Sequence, residues 1–288
     1  MSPFFLLWDT GAMSTPPPTT LPITLLIIAR NEADQIGSCL DSVPFAAEKI
    51  VVDSGSTDGT QAIAARHGAR VVHQDWLGFG PQRNFATTQA SHDWILVLDA
   101  DEALTRELVT ELEQKLPALL QSRTAGAILR RRTWYMGAPM NWYRPMVGEQ
   151  VARIYHRQRA RWTDARVHES LRFEGPTIRF DHPFRHLNNP TLVHKHLKTL
   201  RYAELKARDW NDARRSPLMW MTPLVFLSAF LKDYFLRLAF LDGWRGYIVA
   251  QVAASYAVYK RMRYYEMQRN PASRELAAQA LKRHDLDP

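Results

Sequence analysis

Trp94-Ile95-Leu96-Val97-Leu98-Asp99-Ala100-Asp101-Glu102 decides how this chain is read. A wholly apolar run stops abruptly at two carboxylates spaced by one alanine. A Val/Ile/Leu-rich run of that length, with no polar alternation, predicts a strand covered on both faces in a parallel sheet. In open α/β sheets ligands bind just beyond the carboxyl ends of the strands, so these acids stand where chemistry takes place. Asp-X-Asp suits a hard divalent cation: Mg²⁺ or Mn²⁺ takes oxygen ligands, shared between one or two carboxylates and a substrate's phosphates. Alone, the pattern also suits a solvated strand end. The neighbouring segments favour a site.

Upstream, the same strand-and-turn unit recurs. Ile23–Ala29 is a continuous apolar strand with Arg30-Asn31-Glu32 at its end. Asn31 is placed to cap a helix whose apolar positions Ile36, Leu40 and Val43 follow at helical spacing. Lys49–Val52 forms a second strand and leads into Asp53-Ser54-Gly55-Ser56-Thr57-Asp58-Gly59-Thr60. That turn is dense in small residues and hydroxyls, which lets backbone come close to a ligand. A helix to His67 ends at Gly68, Ala69–His73 is a third strand, and Gly78-Phe79-Gly80-Pro81 opens another helix. The alternation predicts a doubly wound parallel sheet. Three strand ends (Arg30–Glu32, Asp53–Asp58 and Asp99–Asp101) then converge on one edge. Neither GxGxxG after the first strand nor GxxxxGK[ST] is present, so a dinucleotide Rossmann site and a P-loop are unsupported.

The chain has 288 residues and a formal net charge of +8, which points to an anionic partner: nucleotide phosphates, nucleic acid or an acidic membrane surface. The single cysteine, Cys39, excludes an internal disulfide, fits a reducing compartment, and falls on the first predicted helix as a small buried hydrophobe. No segment reaches the ~18 consecutive apolar residues of a membrane-spanning helix. Residues 1–21 read as a tail without a secretory signal, since the apolar run Phe4–Trp8 is short and lacks a basic flank. Pro16-Pro17-Pro18-Thr19-Thr20 is an extended linker, and Met13 offers a second start.

IIARNE, VVDSGSTDGT, GFGPQRNFA and LDADE, in this order and spacing, resemble the nucleotide-sugar domain of family-2 inverting glycosyltransferases with the GT-A fold. The similarity covers about residues 22 to 175. It implies an α/β, Rossmann-like, mostly parallel sheet and a nucleotide-sugar donor. It further implies that Asp53 meets the uracil or ribose, that Arg30 and Glu32 line the nucleotide pocket, and that Arg83 and Asn84 stand near the diphosphate. By the same resemblance Asp99 and Asp101 hold the sugar nucleotide through Mg²⁺ or Mn²⁺. Asn31, Ser54, Gly55, Asp58 and Ala100 complete the donor-side set. Many relatives carry Asp-Asp where this chain has Asp53-Ser54, so the base contact rests on Asp53.

Downstream, Thr105 caps a helix with an apolar face of Leu108, Val109, Leu112, Leu116 and Leu119. Ala127–Leu129 resembles a strand and runs into Arg130-Arg131-Arg132, either a solvated basic face or an anion clamp on donor or acceptor phosphates. Trp134, Tyr135, Met136, Met140, Trp142, Tyr143 and Met146 form either core or a sugar-stacking platform, in a stretch whose glycines and prolines favour a loop. Inverting transfer needs a base for the acceptor hydroxyl. Val167-His168-Glu169-Ser170 matches the position of the family's acidic base, which implies Glu169 as base and His168 as its orienting neighbour or replacement; otherwise Glu169 caps or pairs. His182, His186, His194 and His196 lack zinc-site spacing and a cysteine partner, and read as surface or acceptor-side residues.

From about Lys195 the pattern turns helical. Pro217–Leu231 is strongly apolar, interrupted by Pro223 and bordered by Arg214-Arg215 and Lys232-Asp233. Asp242-Gly243-Trp244-Arg245-Gly246 predicts a helix break, and Ile248–Tyr265 a further helix ending in Lys260-Arg261-Met262-Arg263-Tyr264-Tyr265. Apolar and aromatic helices with clustered cations suit a membrane interface over anionic headgroups; a helical cap on the sheet would use the same residues. RYAELKARDW, FLDGWRG and YKRMRYYE resemble the lipopolysaccharide inner-core β-1,4-glucosyltransferase-like group. That resemblance implies a UDP-sugar, UDP-glucose above others, and a heptose of a lipid-linked core as acceptor at the cytoplasmic face of the inner membrane. The expected division is a tail over 1–21, a catalytic domain over 22–195 and a helical extension over 196–288. The alternatives are transfer to a polyprenyl phosphate or another envelope glycan, and a basic α/β module binding nucleic acid. The module accounts poorly for acids at three strand ends, which repel phosphate unless a cation intervenes. No nucleic-acid partner is therefore expected.

Overall fold

The computed structural model describes residues 20–164, 170–187, 191–212 and 218–283. The expected tail up to residue 19, the base segment with His168 and Glu169, and Arg214-Arg215 lie outside the described residues.

The first half runs β1 (Leu21–Ala29), α1 (Ile36–Asp41), β2 (Ala46–Asp53), α2 (Thr60–Arg66), β3 (Arg70–His73), α3 (Phe79–Thr88) and β4 (Trp94–Asp99). All three pairings in the order β3-β2-β1-β4 are parallel. Ile23, Leu25, Ile27, Val51, Leu96 and Leu98 face one side and pack with Ile36, Leu40 and Val43. Leu26, Ile50, Val52, Ile95 and Val97 face the other and pack with Ala86, Tyr155 and Trp162. A strand with two covered faces must be apolar at every position, which is why these runs show no alternation. Each buried aliphatic side chain contributes about 1.5–3 kcal/mol. The register sets Ala29 opposite Asp53 and Ile28 opposite Asp99, so both acids leave the sheet where β1 ends.

The second half runs β5 (Glu102–Ala103), α4 (Arg106–Leu120), β6 (Gly126–Tyr135), β7 (Ala138–Pro139), β8 (Val147–His156), β9 (Ala160–Trp162), β10 (Leu171–Phe173) and β11 (Thr177–His186). The sheet continues β4-β8-β6-β11-β5. Here β8 is antiparallel to both neighbours and β5 is antiparallel to β11, while β6 and β11 are parallel. Thr105 caps α4 by accepting from the Leu108 amide at 3.2 Å. Pairing of His186 with Glu102, and a hydrogen bond from the Leu187 amide to the Asp101 carbonyl at 2.8 Å, staple the Asp-X-Asp turn to the end of β11.

The helices follow as α5 (Leu192–Asp212), α6 (Thr222–Leu231), α7 (Gly243–Arg269) and α8 (Ser273–Arg283). Pro223 sits in the first turn of α6, where a proline lacks no needed donor, and so does not interrupt a helix. The break falls between Leu238, in the left-handed region at φ 62°, and Gly243; Trp244, Arg245 and Gly246 already belong to α7. Gly246 is required by contact: a β-carbon there would lie 1.6 Å from the Ala239 carbonyl oxygen. Tyr135, Met140 and Tyr143 are buried against Ala239, Val249 and Ala250, so this part of the aromatic stretch is core joining loop to helix. The Asp242 carboxylate accepts from the amides of Asn141, Trp142 and Tyr143 at 2.8, 3.1 and 2.8 Å. Arg263, expected among headgroup-facing cations, is instead turned inward. It pairs with Glu204 of α5 and donates to the Ser273 carbonyl at 2.8 Å, tying three helices together. Among the described residues no helix is long and apolar enough to cross a membrane.

Candidate active site

The three predicted strand ends do meet, and side chains stitch the first two together. Asn31 takes a left-handed backbone (φ 56°) and does not cap α1, whose N-cap is Gln35. Its side-chain oxygen instead accepts from the Thr57 amide at 2.9 Å, and its own amide donates to Ser56 Oγ at 2.9 Å. Glu32 donates its amide to Thr60 Oγ1 at 2.8 Å, and Ala33 to Asp58 Oδ2 at 2.9 Å. Asp53 Oδ1 accepts from the amides of Gly55 and Ser56, both at 3.0 Å, and from Gln61 Nε2 at 2.5 Å. Burial opposes ionisation of Asp53, but the hydrogen bonds from Ser56, Gln61 and Gly55 outweigh it and hold its pKa below the usual carboxylate range. Gly55 itself is in the left-handed region at φ 87°. Ser54 Oγ accepts from Gln82 Nε2 at 3.0 Å, which ties the turn to α3; Gln82 is buried and carries no local signal that singles it out.

The two acids of the Asp-X-Asp turn are not equivalent. Arg83 donates to Asp99 Oδ1 at 2.7 Å and Arg153 to Asp99 Oδ2 at 3.0 Å, so both oxygens face guanidinium groups. Although burial resists it, Arg153 and Arg83 hold Asp99 ionised well below the usual range. Arg153 also donates to Glu102 Oε1 at 2.5 Å, and Glu102 Oε2 accepts from the Asp99 amide at 3.1 Å, closing the turn. Asp101 has no such arginine among the described residues: its partner is His186, with Nε2 3.2 Å from Oδ2. Of the expected metal pair Asp99 and Asp101, the first meets two guanidinium groups and the second an imidazole. Ala100 is buried between the two.

Glu32 completes the imbalance. Its pKa is pushed up to about 7, first by burial and then by the negative charge of Asp101, with Asp58 and Asp99 adding and Lys198 opposing. Excess negative charge gathered at one point favours a bound cation. Among the described residues no three His, Cys, Asp or Glu side chains form a ready metal cluster. Asp101 and the imidazole of His186 would hold a divalent ion only with further oxygen ligands from outside the chain, such as a substrate's phosphates and water. His186 is the histidine the sequence left among surface or acceptor-side residues. It is 9% exposed, and its Nδ1 is buried without a hydrogen-bond partner among the described residues. His182, by contrast, lies 2.9 Å from Glu111 on α4.

Arg83 and Asn84, expected together at a diphosphate, diverge. The Arg83 guanidinium lies 4.7 Å from the Trp162 ring centre while pairing with Asp99. Asn84 spends its amide on backbone: Nδ2 donates to the Trp162 carbonyl at 2.9 Å, and Oδ1 accepts from the Trp162 amide at 3.1 Å. It anchors β9 to α3. Thr163 and Ser170 are joined by mutual hydrogen bonds at 3.0 Å. In the arginine triplet, Arg131 pairs with Glu149 and Arg132 donates to Asn141, both neutralising or binding local groups.

The chain is similar to known proteins. The model of the family described as Glycosyl transferase family 2 matches residues 24–180. The chain is 30% identical over 263 residues to the lipopolysaccharide core biosynthesis glycosyltransferase LpsC of Rhizobium meliloti (strain 1021), covering 85% of this chain and 93% of that protein. It is 29% identical over 270 residues to an uncharacterized glycosyltransferase of Rickettsia bellii (strain RML369-C), covering 88% of this chain and 90% of the other. A solved structure of glucosyl-3-phosphoglycerate synthase from Mycobacterium tuberculosis, in complex with Mn²⁺, uridine diphosphate and glucosyl-3-phosphoglycerate, is similar over 40% of this chain and 44% of that one, with 28% identity and a TM-score of 0.32.

Proposed function

The chain belongs to glycosyl transferase family 2, with the GT-A fold and a C-terminal helical region, and from that premise we propose that it moves glucose from UDP-glucose to a lipopolysaccharide inner-core sugar with inversion. The carrying observation is the meeting of three strand ends around Asp101 and Glu32, where carboxylate charge gathers beside a neutralised Asp99. The core-biosynthesis name of the Rhizobium relative supports the acceptor.

In this reading Asp101 and His186 would hold Mg²⁺ or Mn²⁺, and the ion would supply positive charge to offset that gathering on the departing diphosphate. The 53–60 turn receives the nucleoside, with Asp53 already held ionised for a hydroxyl or amide donor. Arg83, fixed by Asp99 and Trp162, presents a preset guanidinium toward the phosphates. Arg30, Asn31 and Ser54 shape the pocket. Glu169, with His168 beside it, takes the proton from the attacking acceptor hydroxyl.

We assign the enzyme to the cytoplasmic face of the inner membrane, as a peripheral protein. An apolar surface on the helical extension supports this: Trp220 and Leu236 are each 71% exposed, Leu224 57% and Phe235 51%. Exposed apolar side chains with cations such as Lys232 among them in the chain suit an anionic bilayer.

Thermal shift tests the donor site. UDP and Mn²⁺ together should raise Tm while neither alone does so to the same extent. Equal stabilisation by UDP after thorough chelation would refute the metal-bridged donor. Incubation with purified truncated core oligosaccharide or with polyprenyl phosphate, read by mass spectrometry, then separates the two acceptors.

A further inference from the structure

Between the sheet and the helical extension lies a cavity of about 420 Å³. One end touches the acid site: His186 lines it and reaches Asp101 at 3.2 Å, and Arg131 lines it 4.0 Å from Glu102. Lys195 and Lys198 enter from α5, three residues apart and hence on one helix face. Tyr202 and Tyr256 complete the wall from α5 and α7.

The charges in this cavity are arranged at a cost to the empty protein. Burial, and then the charge of Lys198, lower the pKa of Lys195, so its ammonium is held where a positive charge is unwelcome. Among the described residues no carboxylate pairs with Lys195. Arg131 spends one arm on Glu149, yet its Nε is buried with no acceptor among the described residues. Like charges brought to the wall of one cavity, Lys195 among them at a burial cost, are relieved by an anion there. His186 stands where this cavity joins the acid site, while Tyr202 and Tyr256 line it from the helices.

We propose that this cavity is the acceptor subsite and that Lys195, Lys198 and Arg131 grip an anionic oxygen group, phosphate or carboxylate, carried by the sugar that receives the transfer. This rests on the transferase reading above. Tyr202 and Tyr256 offer flat apolar faces to the sugar ring. The enzyme would thus select acceptors by a charge next to the reacting hydroxyl, using residues that come from the helical extension as well as the sheet.

The test uses purified truncated core oligosaccharide in three forms: intact, phosphatase-treated and carboxyl-reduced. For the wild type, one of the two treatments should raise acceptor KM about tenfold or more, and which one does so identifies the anion. Lys195→Gln/Lys198→Gln should raise KM on the intact form by a similar factor and show little further rise on the stripped form; Lys195→Arg/Lys198→Arg should recover most of the loss. A double variant that discriminates intact from stripped acceptor as strongly as the wild type would overturn the proposal. A second arm is independent of turnover: with UDP and Mn²⁺ present, inorganic phosphate should raise the Tm of the wild type and not of the Gln double variant. If the wild type turns over none of the forms but phosphate stabilisation disappears in the variant, the anion site stands and the transferase reading falls. Equal phosphate stabilisation of both proteins counts against the site.

Discussion

β4 and α6 are written in nearly the same letters and end in opposite surroundings. Ile95, Leu96 and Leu98 of β4 have no exposure at all, whereas Leu224 and Leu227 of α6 are 57% and 51% exposed. The difference lies in their neighbours. β4 is covered by helices on one face and by Tyr155 and Trp162 on the other, while α6 packs on α7 and leaves Leu224 and Leu227 in the open. An apolar run thus reports a need for cover, and only the fold says whether the chain supplies it. At β4 the chain does, and the acids at its end are held in place by arginines. At α6 we read the missing cover as lipid.

Four experiments would break or sharpen that contrast. The largest effect belongs to the strand ends: Asp101→Asn and Glu169→Gln should each lower kcat by ~10² or more, with vesicle binding intact. Turnover preserved in both would detach the chemistry from this edge. Next is the joint between the regions. Gly246→Ala, which pushes a methyl into the Ala239 carbonyl, should cost about 3 kcal/mol and lower Tm by about 6–12 °C in calorimetry. An unchanged Tm would mean that α7 and the 239–242 turn are not packed as described. Third, Leu227→Glu/Phe235→Glu should weaken co-sedimentation with anionic vesicles by about tenfold or more, yet leave turnover on lipid-free oligosaccharide unaltered. Sedimentation equal to wild type would assign the exposed face to something other than a bilayer.

The smallest effect is a slope against pH. Glu32 has a folded pKa near 7 against an ordinary value of 4.5, so between those values the folded protein holds a proton that the unfolded chain has released. Metal-free stability should therefore fall as pH rises from about 4.5 to about 7, and Glu32→Gln should flatten that window in urea titrations. A wild-type curve already flat there would show that burial and the charge of Asp101 do not raise Glu32.

Much of the parallel half was legible because local letters suffice: an apolar run, then acids or glycine at its end. Asp53, Asp58, Asp99 and Asp101 were named that way, and register brings Asp53 and Asp99 to the end of β1. The antiparallel half was not legible in the same manner. β5 is two residues long and owes its existence to β11, more than eighty residues away, so no local pattern announces it. For the same reason Arg153 and His186 carried no local mark of the carboxylates they meet. Each matters through a partner brought by the sheet, and an arginine in a strand carries no mark of the carboxylate it will meet. Asn31 shows the opposite failure: a good capping residue was overruled because Ser56 and Thr57 offered its polar groups better-placed partners.

The Asp242 carboxylate, seated on the amides of residues 141–143, bears on how such chains can be recombined. A chimera that swaps the last hundred residues for those of a relative, leaving the 141–143 loop behind, would set three backbone donors against whatever the foreign turn happened to supply. Graft boundaries should therefore be drawn to keep loop and turn from one parent, even though a hundred positions separate them in the chain.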